Sequence, residues 1–390
     1  MTKLRKRLPS ESHLNPFAYG VVVDDSGFCN RKAEIQFLKK QIRDGYSTWL
    51  FSPRRFGKTS LVEKVFRETE DAICVYFDLY NVQSVDDFVR RYAKVLSQKL
   101  FDWKEDLKTI SKKMLDVFGS LSPGIQFDDF GNPNLQFNVR SVEKKAEVDT
   151  ILEIPQRIAI QRGIRICIAF DEFQEIQRID PFLLNWLRST FQRQSEVSYI
   201  FLGSKESLME SIFLSTESPF YEFAAKMDLP VIPEKELADF IRTKFTNSSL
   251  PIEQETIAQI LFKSKGQPHF TQYFASVVFD LIREGTDQRE EGFQTMWMDL
   301  VLRPQSDVFQ GIYDQLTNIQ RSVLMALASL GGRGIYSEDV RKQFELPASS
   351  SIREALKALQ KRSLIHGSGS WYAFSNPIFQ EWVHRLLAGR

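Results

Sequence analysis

Two short stretches carry residue types that do phosphate chemistry. The first is Ser52-Pro53-Arg54-Arg55-Phe56-Gly57-Lys58-Thr59-Ser60. A strand-like Trp49–Phe51 precedes it, and Leu61, Val62, Val65 and Phe66 follow at helical spacing. In such a strand–turn–helix, backbone N–H groups converge on one concavity that binds anionic phosphates. Gly57 lets the backbone approach closely, Lys58 reaches the β- and γ-phosphates, and Thr59 places its hydroxyl on Mg2+. Pro53, Arg54, Arg55, Phe56 and Ser60 complete the expected nucleotide-binding loop. The usual pattern opens with glycine where Ser52 stands, so Ser52 keeps the turn only if its φ is not positive. Alone, Gly-Lys-Thr is equally a basic surface turn, and the reading needs a partner elsewhere in the chain.

The second stretch is Ile164-Arg165-Ile166-Cys167-Ile168-Ala169-Phe170-Asp171-Glu172. A near-continuous apolar run is what a strand buried on both faces of a parallel sheet looks like. Two acids end it. Asp171 is expected to hold Mg2+ with Thr59, and Glu172 to orient or deprotonate the attacking water. An acidic loop after an ordinary strand looks the same in isolation; the phosphate-type turn upstream separates the two. Val197–Gly203 is another buried strand, and Ser204 at its end either senses the γ-phosphate or water or is a plain turn serine. Arg54 and Arg55 touch phosphate or a partner domain, or are solvated. Arg188 and Arg193 are candidates to complete the site, in cis or from a neighbouring subunit.

These residues must be held by an α/β scaffold. Strands at 72–79, 164–170, 197–203 and 227–232 join the one at 49–51, separated by helical patterns, which predicts a mostly parallel five-stranded sheet. Asn30 is expected to cap a helix with Ile35, Leu38 and Ile42 on its apolar face. A β-hairpin insertion is expected near 119–140. The predicted organisation is an N-terminal segment 1–27, a nucleotide-binding core 28–232, a helical lid 233–310 and a winged helix-turn-helix 311–390. In the last part, helices expected at 318–330 (capped by Asn318), 337–344 and 352–362 precede a hairpin around Gly367-Ser368-Gly369-Ser370.

Bulk composition excludes several classes. With 51 basic and 50 acidic residues among 390, the net charge is +1, so no global field drives the chain onto nucleic acid or membrane. The three cysteines, Cys29, Cys74 and Cys167, lack C-x-x-C spacing, and the four histidines form no ligand pattern. Lys3, Arg5, Lys6 and Arg7 are not followed by a secretory apolar stretch. No apolar run is long enough to span a bilayer, and a cytoplasmic location is expected. Within 311–390, ten basic against six acidic residues give +4. Arg353, Lys357 and Lys361 share one face of the expected recognition helix, a face that enters the DNA major groove in DNA-binding winged helices. The alternative is a solvated face used for protein contact or autoinhibition.

Asn15-Pro16-Phe17, Tyr19-Gly20, Phe28 and Arg31 with Glu34, Pro53 through Leu61, Asp171-Glu172-Phe173-Gln174 and Gly203-Ser204 together resemble the archaeal-type ATPase family, which also occurs in bacteria. That family is similar to the STAND signalling ATPases and, more distantly, to origin-recognition AAA+ proteins. Gly266-Gln267-Pro268 resembles the lid motif of the group, and Phe374-Ser375-Asn376-Pro377 with Phe379 through Trp382 resembles the end of its winged helix. The resemblance covers nearly the whole chain. It implies ATP between core and lid, with the adenine near Phe28–Arg31 and Pro268 at the lid. Two departures stand out: Ser52 for the opening glycine, and Glu222 where relatives often carry a basic residue. The function expected is a slow Mg2+-dependent ATPase acting as a nucleotide-operated switch. A DNA-binding ATPase, initiator-like or transcription-linked, is the alternative, and a nucleotide-binding scaffold with little turnover is a third. Oligomerisation and a protein partner stay open.

Overall fold

The computed structural model describes residues 14–21, 27–101, 107–118, 123–127, 133–137, 144–369 and 371–388. The basic stretch with Lys3, Arg5, Lys6 and Arg7 lies outside them. The chain forms two compact units: Arg31–Ser52 with Lys58–Pro230, and Met1–Asn30 with Pro53–Gly57 and Val231–Arg390. Each is described by itself.

The first unit is built on a sheet. Its strands are β1 (Thr48–Phe51), β2 (Ala72–Asp78), β5 (Arg165–Asp171), β6 (Val197–Gly203) and β7 (Ala225–Asp228), with a hairpin of β3 (Pro123–Phe127) and β4 (Pro133–Phe137) between β2 and β5. The sheet order is β2-β5-β6-β1-β7, and every pairing is parallel. β5 and β6 are central and buried along almost their whole length, which is why they read as unbroken apolar runs. β7 is an edge strand, mostly exposed, and ends at Asp228 rather than extending to 232. Pro230 and Pro233 follow, and neither can donate to a ladder.

One face of this sheet is lined with rings. Phe170 packs against Phe77, Tyr92, Phe191, Tyr199 and Phe201 with centroids 5.9–6.1 Å apart. Trp49 stacks on Phe213 at 5.2 Å. The other face follows from the two-residue period of a strand: Tyr76 and Asp78 alternate with Val75 and Phe77, and Ala169 and Asp171 alternate with Ile168 and Phe170. The β2–β5 register sets Asp78 beside Asp171 at the carboxyl end of the sheet.

The second unit is mainly helical. Helices Glu234–Asn247, Gln254–Ser264, Pro268–Arg283, Phe293–Leu302 and Ser306–Asp314 share one hydrophobic cluster with the winged-helix elements Asn318–Leu330, Ser349–Lys361, β8 (Ile365–Ser368), β9 (Trp371–Phe374) and Pro377–Ala388. The Asn-Pro-Phe segment is a strap on the first and third of these helices. Asn15 Nδ2 donates to Ser276 O (2.9 Å) and Oγ (3.0 Å), Lys244 Nζ donates to Pro16 O (2.6 Å), and Phe17 is buried among Phe240, Phe245 and Phe279. Asn376 caps the last helix, its Oδ1 accepting from Ile378 N at 2.9 Å.

Two expected caps are corrected. Helix Lys32–Asp44 is preceded by Asn30 and Arg31, both with positive φ, and the capping residue is Arg31, whose side chain makes no capping bond to the helix backbone. Helix Asn318–Leu330 is capped by Thr317 in a reciprocal box with Gln320, so Asn318 is its first helical residue.

Candidate functional site

Residues at the ends of the neighbouring strands β5, β6 and β1, with the start of helix Lys58–Arg67, meet at one end of the sheet. In an open parallel sheet the crevice beyond the carboxyl ends is where ligands bind. After β1, Ser52 is buried, and its N–H donates to Gly203 O (3.4 Å) at the end of β6. Its φ is not positive, so serine is tolerated where glycine is usual. The left-handed backbone in this loop falls instead on Arg55 (φ 70°) and Gly57 (φ 86°). Helix Lys58–Arg67 begins immediately afterwards. Lys58 is 7% exposed, and its Nζ donates to Ser52 O at 2.6 Å, folding the side chain back over the turn.

Thr59 Oγ1 donates to Asp171 Oδ2 at 2.9 Å, joining the helix start to the end of β5. Asp171 Oδ1 accepts from the Glu172 N–H at 2.8 Å. Glu172 takes a left-handed conformation, φ 50° and ψ 44°, and starts a short 3-10 turn, Phe173–Glu175. Ser204 Oγ donates to Glu172 Oε2 at 2.6 Å. Thus Lys58, Thr59, Asp171, Glu172 and Ser204, named from sequence, lie at the loops of three adjacent strands.

Two members were not foreseen. The Tyr76 hydroxyl donates to Asp171 Oδ2 and lies 3.4 Å from Thr59 Oγ1. Burial first, and then the adjacent Asp171 carboxylate, push its phenol far above the ordinary tyrosine range, so it stays a donor. Gln174 Nε2 donates to Glu172 Oε2. The signal for Tyr76 was its even spacing from Asp78, on the strand face opposite Phe77. Asp78 itself is raised above the ordinary carboxylate range, chiefly by burial and further by Asp171 and Glu172.

The other sequence-derived residues lie elsewhere. Arg31 is buried; its Nη1 donates to Glu34 (2.8 Å) and to Pro230 O, while Nη2 is buried with no acceptor. Ser60 is in the first turn of helix Lys58–Arg67, half-buried. In the helical unit, Phe28 is half-buried and Phe56 buried, whereas Arg54 is exposed. The Arg55 guanidinium sits 5.2 Å from the centre of the Phe270 ring. Phe270 follows Pro268 by two residues, in the first turn of helix Pro268–Arg283. Next to it, His269 Nδ1 accepts from Gly20 N–H (3.4 Å), and its imidazole is brought down to about 4 by burial first and by Arg55 second.

Arg188 is engaged structurally. It donates to Pro219 O (2.9 Å) and stacks 4.6 Å from Phe223, holding the turn that carries Glu222. Arg193 lies 3.9 Å from Glu153. On helix Ser349–Lys361, Arg353, Lys357 and Lys361 are all exposed while Ile352, Leu356 and Leu359 are buried, and Lys357 pairs with Glu354 at 3.1 Å.

The donor set suits Mg2+. The described residues hold no cluster of three or more His, Cys, Asp or Glu able to cage a metal. What they offer is the Thr59 hydroxyl and the Asp171 carboxylate within hydrogen-bond reach, at the start of the helix that follows β1. Mg2+ is commonly bound this way, through one or two carboxylates with the remaining positions filled by substrate phosphates and water.

Comparison with known proteins is consistent across the chain. Residues 28–270 match a family model described as an ATPase domain predominantly from Archaea, and residues 307–385 match a probable winged helix domain. An uncharacterized ATP-binding protein of Methanocaldococcus jannaschii is 24% identical over 228 residues, 54% of this chain and 63% of that protein's own length. Among solved structures, a Walker-type ATPase of Pyrococcus abyssi superposes with a TM-score of 0.63 at 16% identity, over 91% of this chain and 96% of the other. The ORC2 protein of Aeropyrum pernix, solved as ADPNP–ADP complexes, gives 0.54 at 12% identity, over 95% and 99%. At these identities the likeness is one of fold.

Proposed function

The chain belongs to the family of ATPase domains found predominantly in Archaea, and from that premise we propose that it binds ATP with Mg2+ and hydrolyses it slowly, as a nucleotide-operated switch. The observation that carries this is the meeting of Thr59, Asp171, Glu172 and Ser204 at the ends of adjacent parallel strands. Arg54, Arg55, Phe56, Gly57 and Ser60 contribute donors to the phosphates, and Pro53, which has no N–H, shapes the turn. Lys58 leaves the Ser52 carbonyl and neutralises the β- and γ-phosphates. Thr59 and Asp171 hold the Mg2+, which supplies charge neutralisation on the phosphates when bound. Asp171 is steadied for this by Tyr76 and the Glu172 N–H.

Glu172 takes the proton of the attacking water. The water oxygen bonds to the γ-phosphorus, the bridging bond to the β-phosphate breaks, and its electron pair leaves with ADP. Positioning and electrostatics carry this reaction. Slow turnover is favoured by Glu222, which puts an acid where the resemblance leads one to expect a cation. A finishing arginine is worth about 10³–10⁵ in rate in this chemistry. Loss of Lys58 in Lys58→Ala is expected to weaken ATP about 10- to 150-fold, from a charged hydrogen bond of about 1.5–3 kcal/mol. For the switch, hydrogen exchange of the Glu172→Gln protein with Mg·ATP is expected to differ from that of wild type with ADP, beyond the site itself. Identical protection elsewhere would sink the switch reading.

One observation supports a second reading, DNA binding. Helix Ser349–Lys361 buries its apolar side and leaves Arg353, Lys357 and Lys361 exposed together. Contacts of this kind give binding that falls steeply with salt. Fluorescence anisotropy with duplex DNA at low salt, on wild type and on the protein carrying Arg353→Ala with Lys357→Ala, tests it. Absence of binding at low salt would remove the reading.

A further inference from the structure

Glu172 is gripped by one of its two carboxylate oxygens. Ser204 Oγ and Gln174 Nε2 both donate to Oε2, and no donor among the described residues bonds to Oε1. Gln174 is 3% exposed. An ionised carboxylate only accepts hydrogen bonds, so it dictates that the amide NH2 faces Glu172. The amide oxygen is thereby left buried with no partner. Buried polar atoms are rarely left so, and one that is calls for an explanation.

The surroundings are shaped to this amide. A Cβ on Gly203 would lie 2.8 Å from Gln174 Oε1 and 2.3 Å from Met209 Cγ. Gly203 does not have a positive φ, so glycine stands there for room and not for conformation. On the other side, Glu172 accepts a left-handed backbone that non-glycine residues disfavour. That backbone opens the 3-10 turn from which Gln174 reaches back to the carboxylate two residues earlier. A strained residue, an orphaned acceptor and a glycine chosen for space all serve one hydrogen bond.

We propose that Gln174 and Ser204 form a two-donor clamp on Oε2 that fixes the rotation of the Glu172 carboxylate and presents Oε1 as the proton acceptor. Gln174 is then a positioning residue for hydrolysis, and Ser204 acts through Glu172. This rests on the reading of Glu172 as the base. Oε1 takes the water proton as the bond to the γ-phosphorus forms and the bridging oxygen leaves with ADP; the proton then passes to solvent.

The test is a double-mutant cycle on the full chain, reading ATP affinity and single-turnover phosphate release with Mg2+. Gln174→Ala is expected to slow phosphate release about 10- to 100-fold, as misplaced catalytic groups do, with ATP affinity kept within about two-fold. In the Glu172→Gln background the same change is expected to leave the residual rate unaltered. Ser204→Ala gives the same pattern and serves if Gln174→Ala does not fold. Turnover by Glu172→Gln at the wild-type rate would overturn the base itself. Slow Glu172→Gln beside unaltered Gln174→Ala and Ser204→Ala would overturn the clamp alone, as would equal losses in both backgrounds.

Discussion

Adding one methyl group at Gly203 tests the packing around Glu172. In Gly203→Ala the new Cβ falls 2.3 Å from Met209 Cγ, 2.4 Å from its Sδ and 2.8 Å from Gln174 Oε1. Carbon atoms in contact lie about 3.5–4.0 Å apart. Met209 is fully buried in helix Glu206–Phe213, so its side chain has little space to turn into. Overpacking of this kind costs about 1–3 kcal/mol. For a folding unit of about 150–250 residues each kcal/mol lowers the midpoint by about 2–4 °C, so a fall of about 2–12 °C follows. Calorimetry reads the first effect. The second is chemical: the methyl group displaces the Gln174 amide, so phosphate release falls more than ATP affinity does. A Gly203→Ala protein that melts within about 1 °C of wild type and releases phosphate at the same rate would refute the close packing inferred here.

Three further outcomes follow from the same structure. Tyr76→Phe removes a donor from Asp171 and is expected to raise the Mg2+ midpoint for ATP binding about 10-fold, the usual scale for a group that orients a metal ligand; an unchanged midpoint would show that Tyr76 only fills space. Lys263→Met breaks the 2.7 Å pair with half-buried Glu381 and is expected to lower stability at neutral pH by about 1.5–3 kcal/mol in denaturant melts. Burial pushes the Glu381 carboxyl up, but Lys263 and then Arg385 outweigh it and hold it below the ordinary range; that stability is present at neutral pH and lost as pH falls through the folded value, so the two proteins converge in acid. His269 has the opposite linkage. Its folded value of about 4 lies below the ordinary 6.5, so the unfolded chain binds the extra proton. Stability therefore falls as pH drops from about 6.5 to about 4 and levels off below; His269→Asn is expected to flatten that slope in thermal melts at fixed ionic strength.

The sheet was readable because β5 and β6 are buried on both faces and so appear as continuous apolar runs ending in marked residues. Ser52 through Ser60 were readable because a phosphate loop is local: strand, turn and helix are contiguous. Tyr76 and Gln174 were not, since each matters only through a neighbour supplied by strand register or by a tight turn. Tyr76 meets Asp171 across the β2–β5 pairing, and Gln174 meets Glu172 because of a left-handed residue that no composition reveals. The misplaced cap at 318 had a local signal, Thr317 three residues before Gln320. At 30–31 two consecutive positive φ values leave no side-chain cap to find. The strand near 227 was shifted because its edge position makes it short and exposed, so its alternation is weak.

The most direct measurement is Mg2+-dependent ATP binding and phosphate release for wild type, Lys58→Ala and Glu172→Gln side by side. Wild type is expected to bind ATP and release phosphate slowly, Lys58→Ala to bind ATP about 10- to 150-fold more weakly, and Glu172→Gln to bind ATP and release phosphate only at a residual rate. Wild-type protein that binds no ATP, or Glu172→Gln protein that turns over like wild type, would contradict the account at its centre.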